Sequence, residues 1–210
     1  MGRAFGPSHR GHDEYPPAAL DIRAQELKRI RLLPAASRRI TRSQHGYANK
    51  LCVLLGLKEG READAVVVVV DRDGERNKDR IEELNKGRDI LQENGQPCAV
   101  GVAVELIEAW LLADEVGLRH GLGDDAIQRQ PDPESLTSRD EKSEQNPKGR
   151  LQRIIEKALG DCPESIDFPA HYAAIAGAAK IETIEERCPA GFAPFSRQVR
   201  TLRQAEQNSK

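Results

Sequence analysis

Two aspartates stand one residue apart directly after an unbroken apolar run. The run is Val66 to Val70, and Asp71-Arg72-Asp73 follow it at once. Five consecutive β-branched residues favour a strand buried on both faces, as in a parallel α/β sheet. Ligands collect at the carboxyl ends of such strands, and Mg²⁺ binds through one or two carboxylates with water and phosphate oxygens. Asp71 and Asp73 therefore predict a Mg²⁺ or Mn²⁺ site, unless they only end the strand and cap the next helix.

Two glutamates follow a second apolar run in the same way. Residues 98–104 predict another buried strand, with Glu105 next and Glu108 three residues later in a helix predicted over 105–116. A helical crossover between parallel strands brings their carboxyl ends to one edge of the sheet. We therefore expect Glu105 beside Asp71 as a metal ligand, and Glu105 or Glu108 as a catalytic residue of metal-assisted phosphoryl transfer. The glutamates alternatively only favour the positive end of the helix.

The remaining elements follow from apolar spacing and cap residues. Residues 1–19, rich in Gly and Pro, predict a flexible arm, and residues 119–146 a long polar loop. Trp110 is expected in the core. Further helices are predicted over 20–30, 43–55, 75–93 (with Ile81, Leu84 and Leu91 inward), 147–159, 170–180, 181–186 and 192–204.

Composition excludes several classes of protein. The 210 residues include 38% apolar side chains, which fits one globular unit with an appended part. No apolar run approaches the length of a membrane span, so we expect no membrane partner. The four cysteines are scattered and form no Cys-X-X-Cys pair, which predicts reduced thiols and a cytoplasmic location. A phosphate-binding loop ending in Gly-Lys-Ser/Thr is missing from the sequence, which argues against a P-loop nucleoside triphosphatase.

Positive charge is concentrated near the N-terminal third of the chain. Between Lys28 and Arg61 there are nine Lys or Arg residues and one acid, Glu59. Such a block can bind the phosphates of DNA or RNA through electrostatics that do not depend on base sequence. Arg38, Arg39 and Arg42 are the expected contacts. Because the whole chain carries a net charge of −2, the block is equally well interpreted as a solvated face that balances acidic surface elsewhere.

Several of these segments resemble a bacterial TOPRIM-like family of uncharacterised proteins, related to the nucleases of the overcoming-lysogenisation-defect type. The shared features are the strand with Asp-X-Asp-Gly, the segment Glu108-Ala-Trp-Leu-Leu-Ala-Asp114, the Asn146-Pro-Lys148 that opens a helix, and a closing Cys188-Pro with two phenylalanines. The resemblance covers roughly residues 60–205 and implies an α/β fold of TOPRIM-like type, with a parallel sheet and helices on both faces.

The resemblance implies a Mg²⁺-dependent nuclease or a derivative of one, and it suggests a place in phage defence. It assigns the metal-binding carboxylates to Asp71 and Asp73 and the acidic helix start to Glu108, and it places Lys148 at a recurring position that we expect to contact nucleic acid. It also predicts a TOPRIM-like domain over 20–160 and a helical C-terminal extension over 161–210, packed on the same domain.

One TOPRIM feature differs in this chain. TOPRIM sites use a glutamate in a Glu-Gly turn after an earlier strand, whereas Glu59-Gly60 lies only twelve residues before Asp71. The chain therefore either lacks that strand or carries a degenerate site. This leaves two alternatives to the nuclease: a non-catalytic binding or regulatory module of the same fold, and a phosphatase of the haloacid-dehalogenase type, in which Asp71 would be the nucleophile and Asp73 the general acid.

Overall fold

The computed structural model describes residues 46–56, 63–72, 79–160 and 165–208, which combine helices with a small parallel sheet. The predicted arm over 1–19, the nucleic-acid contacts Arg38, Arg39 and Arg42, and the metal ligand Asp73 lie outside the described residues. The elements in chain order are α1 Tyr47–Gly56, β1 Val66–Asp71, α2 Arg80–Glu93, β2 Cys98–Ala103, α3 Glu108–Leu111, α4 Glu115–Leu122, a 3₁₀ turn Pro133–Ser135, α5 Pro147–Leu159, α6 Phe168–Ala178, α7 Ile181–Arg187 and α8 Phe192–Asn208.

The two apolar runs form adjacent parallel strands, as the sequence predicted. Val66 pairs with Cys98 and Asp71 pairs with Ala103, so the strands are in register from end to end. Helix α2 connects them in the chain. Both carboxyl ends therefore lie on the same edge of the sheet, and the residues that follow β1 and β2 begin side by side.

Helices cover both faces of this strand pair. On one face, Val100 packs in a cluster with Leu84 and Leu91 of α2 and Leu51 of α1. On the other face, Ala99 and Ala103 pack with Phe192 and Phe195 of α8. Gly101 supplies room for α8, because a Cβ at that position would lie 2.8 Å from the Phe195 ring.

The prediction that both strands are buried on both faces is right for β2 and wrong for β1. All residues of β2 but Val102 are buried, whereas β1 is half-buried and Val67 is 54% exposed. Ile81, expected to face inward from α2, is also exposed, at 39%. A run of valines does not distinguish a central strand from one that has a neighbour on a single side, and within the described residues β1 pairs with β2 alone.

The outer edge of β2 is closed by one side chain. The amide of Gln198 on α8 accepts a hydrogen bond from the Val100 N–H at 3.1 Å and donates one to the Val100 carbonyl at 3.0 Å. These are the two groups that a neighbouring strand would otherwise use. Gln198 therefore satisfies a buried backbone edge that no strand covers in the described part of the chain.

The helix predicted over 105–116 is interrupted. Helix α3 has four residues, and Asp114 then caps a new helix, α4, by accepting the Val116 N–H at 3.0 Å. Glu105 precedes α3, so the prediction that the helix begins at residue 105 is wrong. The predicted loop over 119–146 is also shorter, because α4 continues to Leu122 and Pro133–Ser135 form a 3₁₀ turn.

The helical second half agrees more closely with prediction. Helix α5 begins after the Asn146 cap and ends at Gly160, whose φ of 65° is typical of a glycine C-cap. Helices α6, α7 and α8 lie within a few residues of the predicted ranges, and α8 extends further, to Asn208. Within the described residues, none of the helices has the length and apolar character needed to cross a membrane.

Helix α2 offers a test of this packing. Leu84 is fully buried, and Ile81, one turn earlier on the same helix, is exposed. We expect Leu84→Ala to lower the free energy of unfolding by about 2–5 kcal/mol, because it removes buried methyl groups and leaves a cavity. Ile81→Ala should change it by less than about 1 kcal/mol. Urea unfolding of both variants measures the difference, and equal losses would contradict the orientation of α2.

Candidate functional site

Asp71 links the ends of the two strands. Its backbone closes the pairing with β2, and its side-chain Oδ1 accepts the Ile107 N–H at 2.8 Å. Its carbonyl oxygen accepts a hydrogen bond from the Arg80 guanidinium at the start of α2. The side chain is thus held against the chain segment that leaves β2, as expected for two parallel strands that end on one edge.

Glu105 follows β2, but its carboxylate is not in the environment that the sequence predicted. The residue is 4% exposed, and its Oε1 accepts hydrogen bonds from the Arg72 guanidinium, with the Nε at 3.2 Å. Glu105, expected as a metal ligand beside Asp71, is therefore paired with an arginine instead. Its charge is compensated by the residue that lies between Asp71 and Asp73 in the chain.

The backbone of Glu105 is also unusual. Its φ of 61° is the one positive value at a residue other than glycine within the described residues. This left-handed conformation is costly for an L-residue, and such outliers persist where the surrounding structure fixes them, often at functional sites. The turn reverses the chain so that Ile107 can reach Asp71 and α3 can begin at Glu108.

Glu108 is a buried carboxylate close to Asp71. It begins α3 and is 3% exposed. Burial raises the pKa of the Glu108 carboxyl above its ordinary value of 4.5; a hydrogen bond from its own backbone N–H lowers the pKa in part, and the negative charge of Asp71 raises it again. Lys148 lowers this pKa and Glu141 raises it, by smaller amounts. Three charged side chains from separate parts of the chain therefore act on the Glu108 carboxyl.

Lys148 reaches this group because the Asn-Pro-Lys segment has a fixed geometry. The buried Asn146 side chain accepts the Gly149 N–H at 2.7 Å and donates to the Ser138 carbonyl at 2.8 Å. Pro147 occupies the first turn of α5, where a missing N–H costs nothing. Lys148 is then directed from the helix start, and its Nζ lies 3.0 Å from Glu141 Oε1.

The segment that carries Glu141 is fixed onto α5. Arg153 donates to the Glu141 carbonyl at 3.0 Å and to the Ser143 carbonyl at 2.9 Å. Gly149 permits this approach, because a Cβ there would collide with the Glu141 carbonyl oxygen. Glu141 lies in the predicted polar loop, and in the sequence only its place in the charge run from Arg139 to Glu144 indicates a role.

The structure thus brings together some of the predicted site residues and separates others. The charges of Asp71 and Lys148 both act on the Glu108 carboxyl, whereas Glu105 forms an ion pair with Arg72. Asp73 and the three predicted arginines are not among the described residues. Within the parts of the chain that are described, no group of three or more His, Cys, Asp or Glu side chains has the arrangement of a metal site. A cation bound here would have two described protein ligands at most, Asp71 and Glu108.

The rest of the Glu108–Asp114 segment has structural roles. Trp110 is 3% exposed and packs against Phe192 and Phe195, with ring centroids 5.0 and 5.8 Å away, which confirms it as a core residue. The second oxygen of Asp114 accepts the Lys180 N–H at 2.7 Å, so one carboxylate caps α4 and also holds the residue that precedes α7. Only Glu108 of this segment belongs to the candidate site.

The raised pKa of Glu108 predicts a measurable effect on stability. Between pH 4.5 and its raised value, the folded protein binds more protons than the unfolded chain, so stability falls as pH rises. Glu108→Gln removes this effect and should raise the free energy of unfolding near pH 7, by about 1.4 kcal/mol for each unit of the shift. Below about pH 4, where both forms are protonated, the gain should vanish.

Urea unfolding in EDTA at several pH values measures this gain. The exposed Glu186→Gln is the matched control and should show no such pH dependence. A Glu108→Gln variant that is less stable than the wild type at every pH would contradict the interpretation of Glu108 as an unfavourably buried charge.

Comparison with known proteins identifies a family for this chain. The profile of DUF4276, described as a domain of unknown function, matches residues 20–200. No curated protein and no solved structure gave a match. The matched region contains both strands, the Glu108–Asp114 segment and Lys148. Since it also spans most of the 210 residues, this chain belongs to the DUF4276 family.

Proposed function

We propose that this protein is a TOPRIM-like, Mg²⁺-dependent nucleic-acid-processing enzyme that cleaves phosphodiester bonds. The observation that carries the proposal is the placement of Asp71, which ends β1, and Glu108, which begins the helix after β2: Asp71 Oδ1 accepts the N–H of Ile107, the residue before Glu108. Burial raises the pKa of the Glu108 carboxyl, and the negative charge of Asp71 adds to this rise. Holding two such charges together costs free energy. A divalent cation, either Mg²⁺ or Mn²⁺, would offset this cost by binding between the two carboxylates.

The ligand chemistry fits a magnesium ion. Mg²⁺ commonly takes one or two carboxylates and completes its shell with water and substrate phosphate oxygens. Asp71 and Glu108 would hold it, with Asp73 as a further ligand from the adjoining segment. When bound, the ion would neutralise charge on the phosphate and lower the pKa of a bound water.

The chain's own groups have separate roles in this proposal. Asp71 is oriented by the Ile107 N–H, so its carboxylate is already positioned before substrate arrives. Lys148, at the start of α5, supplies a positive charge that can bind a phosphate oxygen of the nucleic acid. Burial raises the pKa of the Glu108 carboxyl, and a bound cation would favour the ionised form that ligates it.

Glu105, first expected as metal ligand and catalytic residue, has a positioning role in this proposal. Its ion pair with Arg72 and its left-handed backbone fix the turn that places Ile107 and Glu108. It would serve as a ligand only after giving up the Arg72 guanidinium, which is unfavourable for a carboxylate as buried as this one.

The same ion pair favours a second candidate function. An acidic edge in which one of the carboxylates is already neutralised by an arginine is also what a degenerate site would contain. The alternative is therefore a non-catalytic module that binds nucleic acid and retains the TOPRIM-like fold. A place in phage defence, implied by the resemblance, belongs to either candidate, and a haloacid-dehalogenase-like phosphatase is the third.

The catalytic proposal predicts metal-dependent cleavage that requires both carboxylates. With Mg²⁺ or Mn²⁺, wild type should cleave DNA or RNA, and Asp71→Asn or Glu108→Gln should lower kcat roughly 10²-fold or more, since the metal supplies several kcal/mol to the transition state. Both substitutions keep the side-chain shape, and the amide oxygen in Asp71→Asn can still accept the Ile107 N–H. Glu186→Gln should leave kcat unchanged. Gel-resolved cleavage of labelled strands measures the effect.

Three results would contradict or redirect this prediction. Binding without cleavage in wild type would favour the non-catalytic module. Cleavage that survives Asp71→Asn would remove Asp71 from the site. Hydrolysis of phosphomonoesters alone, with no attack on nucleic acid, would favour the phosphatase.

Metal binding can be measured without activity. Calorimetric titration of Mg²⁺ or Mn²⁺ should give heat with wild type and with Glu186→Gln, and much less with Asp71→Asn. Because a bound cation neutralises the carboxylate pair, saturating Mg²⁺ should also stabilise wild type more than Glu108→Gln in thermal unfolding. Equal stabilisation of the two proteins would exclude Glu108 as a ligand.

A further inference from the structure

Glu141 places a negative charge on the lysine that the proposed function assigns to a phosphate. Its Oε1 lies 3.0 Å from the Lys148 Nζ, and the Glu141 side chain is 61% exposed. A carboxylate oxygen makes the same kind of charge-assisted hydrogen bond to an ammonium group as a phosphate oxygen does. The two anions would therefore compete for Lys148.

This ion pair borders the candidate site. Lys148 lies in the first turn of α5, and Glu108 begins α3. The two helices contact each other, and one turn after these residues Leu111 and Leu151 pack in the same apolar cluster. The charges of Lys148 and Glu141 both act on the Glu108 carboxyl. A strand of nucleic acid that reaches the carboxylates would thus also meet the Lys148–Glu141 pair.

The loop that carries Glu141 is fixed without the help of its side chain. Arg153 donates to the backbone carbonyls of Glu141 and Ser143, and the Ser138 N–H donates to the Gln145 carbonyl at 3.0 Å. Among the described residues, the Glu141 carboxylate itself is hydrogen-bonded to Lys148 alone. The backbone contacts therefore hold the loop, and the carboxylate is presented to Lys148.

Glu141 does not complete the proposed metal site. Within the described ranges of the chain, Asp71, Glu108 and Glu141 do not form a group of three acids that could hold a metal ion. Its negative charge also opposes the approach of a phosphate to Lys148. Lys148 has a further interaction besides this ion pair, but the opposition does not depend on it, because the repulsion acts between the carboxylate and the phosphate.

We infer that Glu141 is an inhibitory residue of the proposed site, whose carboxylate competes with a backbone phosphate of nucleic acid for Lys148 and is displaced when the strand binds. The inference rests on the proposed function for the identity of the ligand. Displacement requires little free energy, because an ion pair as exposed as this one contributes little in water. A strand makes several phosphate contacts that offset this cost, whereas a single small anion does not. The contact therefore favours polyanionic ligands.

The inference predicts that removal of the Glu141 charge strengthens binding only while Lys148 is present. Glu141→Gln keeps the side-chain length and should raise the affinity for nucleic acid roughly 1.5- to 5-fold, the range for one exposed ion pair. Lys148→Met should lower the affinity several-fold and flatten the log–log salt slope by about 0.7 for a single strand. In the double variant, the gain from Glu141→Gln should vanish.

Fluorescence anisotropy in EDTA measures these affinities without cleavage. The probes are labelled single-stranded DNA, duplex DNA and RNA, between about 50 and 200 mM salt. The matched control is Glu186→Gln, which removes one negative charge from an exposed position on α7 and should leave the affinity unchanged. Circular dichroism and thermal unfolding show whether each variant keeps the fold, and Lys148→Gln replaces Lys148→Met if the latter unfolds.

The outcomes separate this inference from the proposed function. Tighter binding by Glu141→Gln that requires Lys148 supports the inference, and if wild type then fails to cleave with Mg²⁺, only the catalytic proposal is overturned. Unchanged or weaker binding by Glu141→Gln, or an equal gain with and without Lys148, overturns the inference even if wild type cleaves nucleic acid. An equal gain in Glu186→Gln, or lack of any binding at low salt, overturns it as well.

Discussion

The hydrogen bond from the Ile107 N–H to Asp71 Oδ1 connects the ends of the two strands at the point where the chain leaves the sheet. Parallel pairing in register brings the strand ends to one edge, but it does not orient the residues beyond those ends. The turn at Glu105, with its positive φ and its ion pair to Arg72, does this by presenting Ile107 to Asp71. Glu108 can then start a helix beside that carboxylate instead of continuing away from the sheet.

Around the ends of the two strands, most of the polar side chains described above fix the backbone. Asn146 holds the start of α5, Arg153 holds the segment before it, and Asp114 serves two helices. Glu108 differs from these groups, because it is buried beside another carboxylate and its pKa is raised. That unfavourable placement is what separates a candidate site residue from a structural one in this DUF4276 chain, since natural sequences rarely keep such conflicts without a function.

The sequence predicted the features that depend on local patterns. The two strands, their parallel pairing and the helix opened by Asn146-Pro147 follow from β-branched runs and cap chemistry. The break between α3 and α4 could not be predicted from the apolar pattern, because residues 106–113 are helix-forming. The Asp114 carboxylate that caps α4 also accepts the N–H of Lys180, a contact that lies far away in the sequence. Likewise the exposure of Val67 depends on the absence of a neighbouring strand in the described part of the chain, which the valine run does not encode.

The candidate site was predicted in part for the same reason. Asp71 was identified because its position after a strand is a local property, and Glu108 because it starts a helix. The pairing of Glu105 with Arg72 was missed, although Arg72 lies within the Asp-X-Asp motif, since spacing alone does not tell which way alternate side chains point at a strand end. Glu141 was missed because its approach depends on Gly149, forty-one residues after Glu108.

The Gln198 amide has a consequence for how this sheet can grow. By pairing with both backbone groups of Val100, it acts as a strand one residue long and ends hydrogen bonding on the β2 side. Among the described residues, the edge of the sheet that such a side chain leaves open to a further strand is that of β1. Extension of the sheet is therefore directional, and a strand added there would lie next to the backbone of Asp71. A further segment recruited to the sheet would thus lie beside β1 and next to Asp71 of the candidate site.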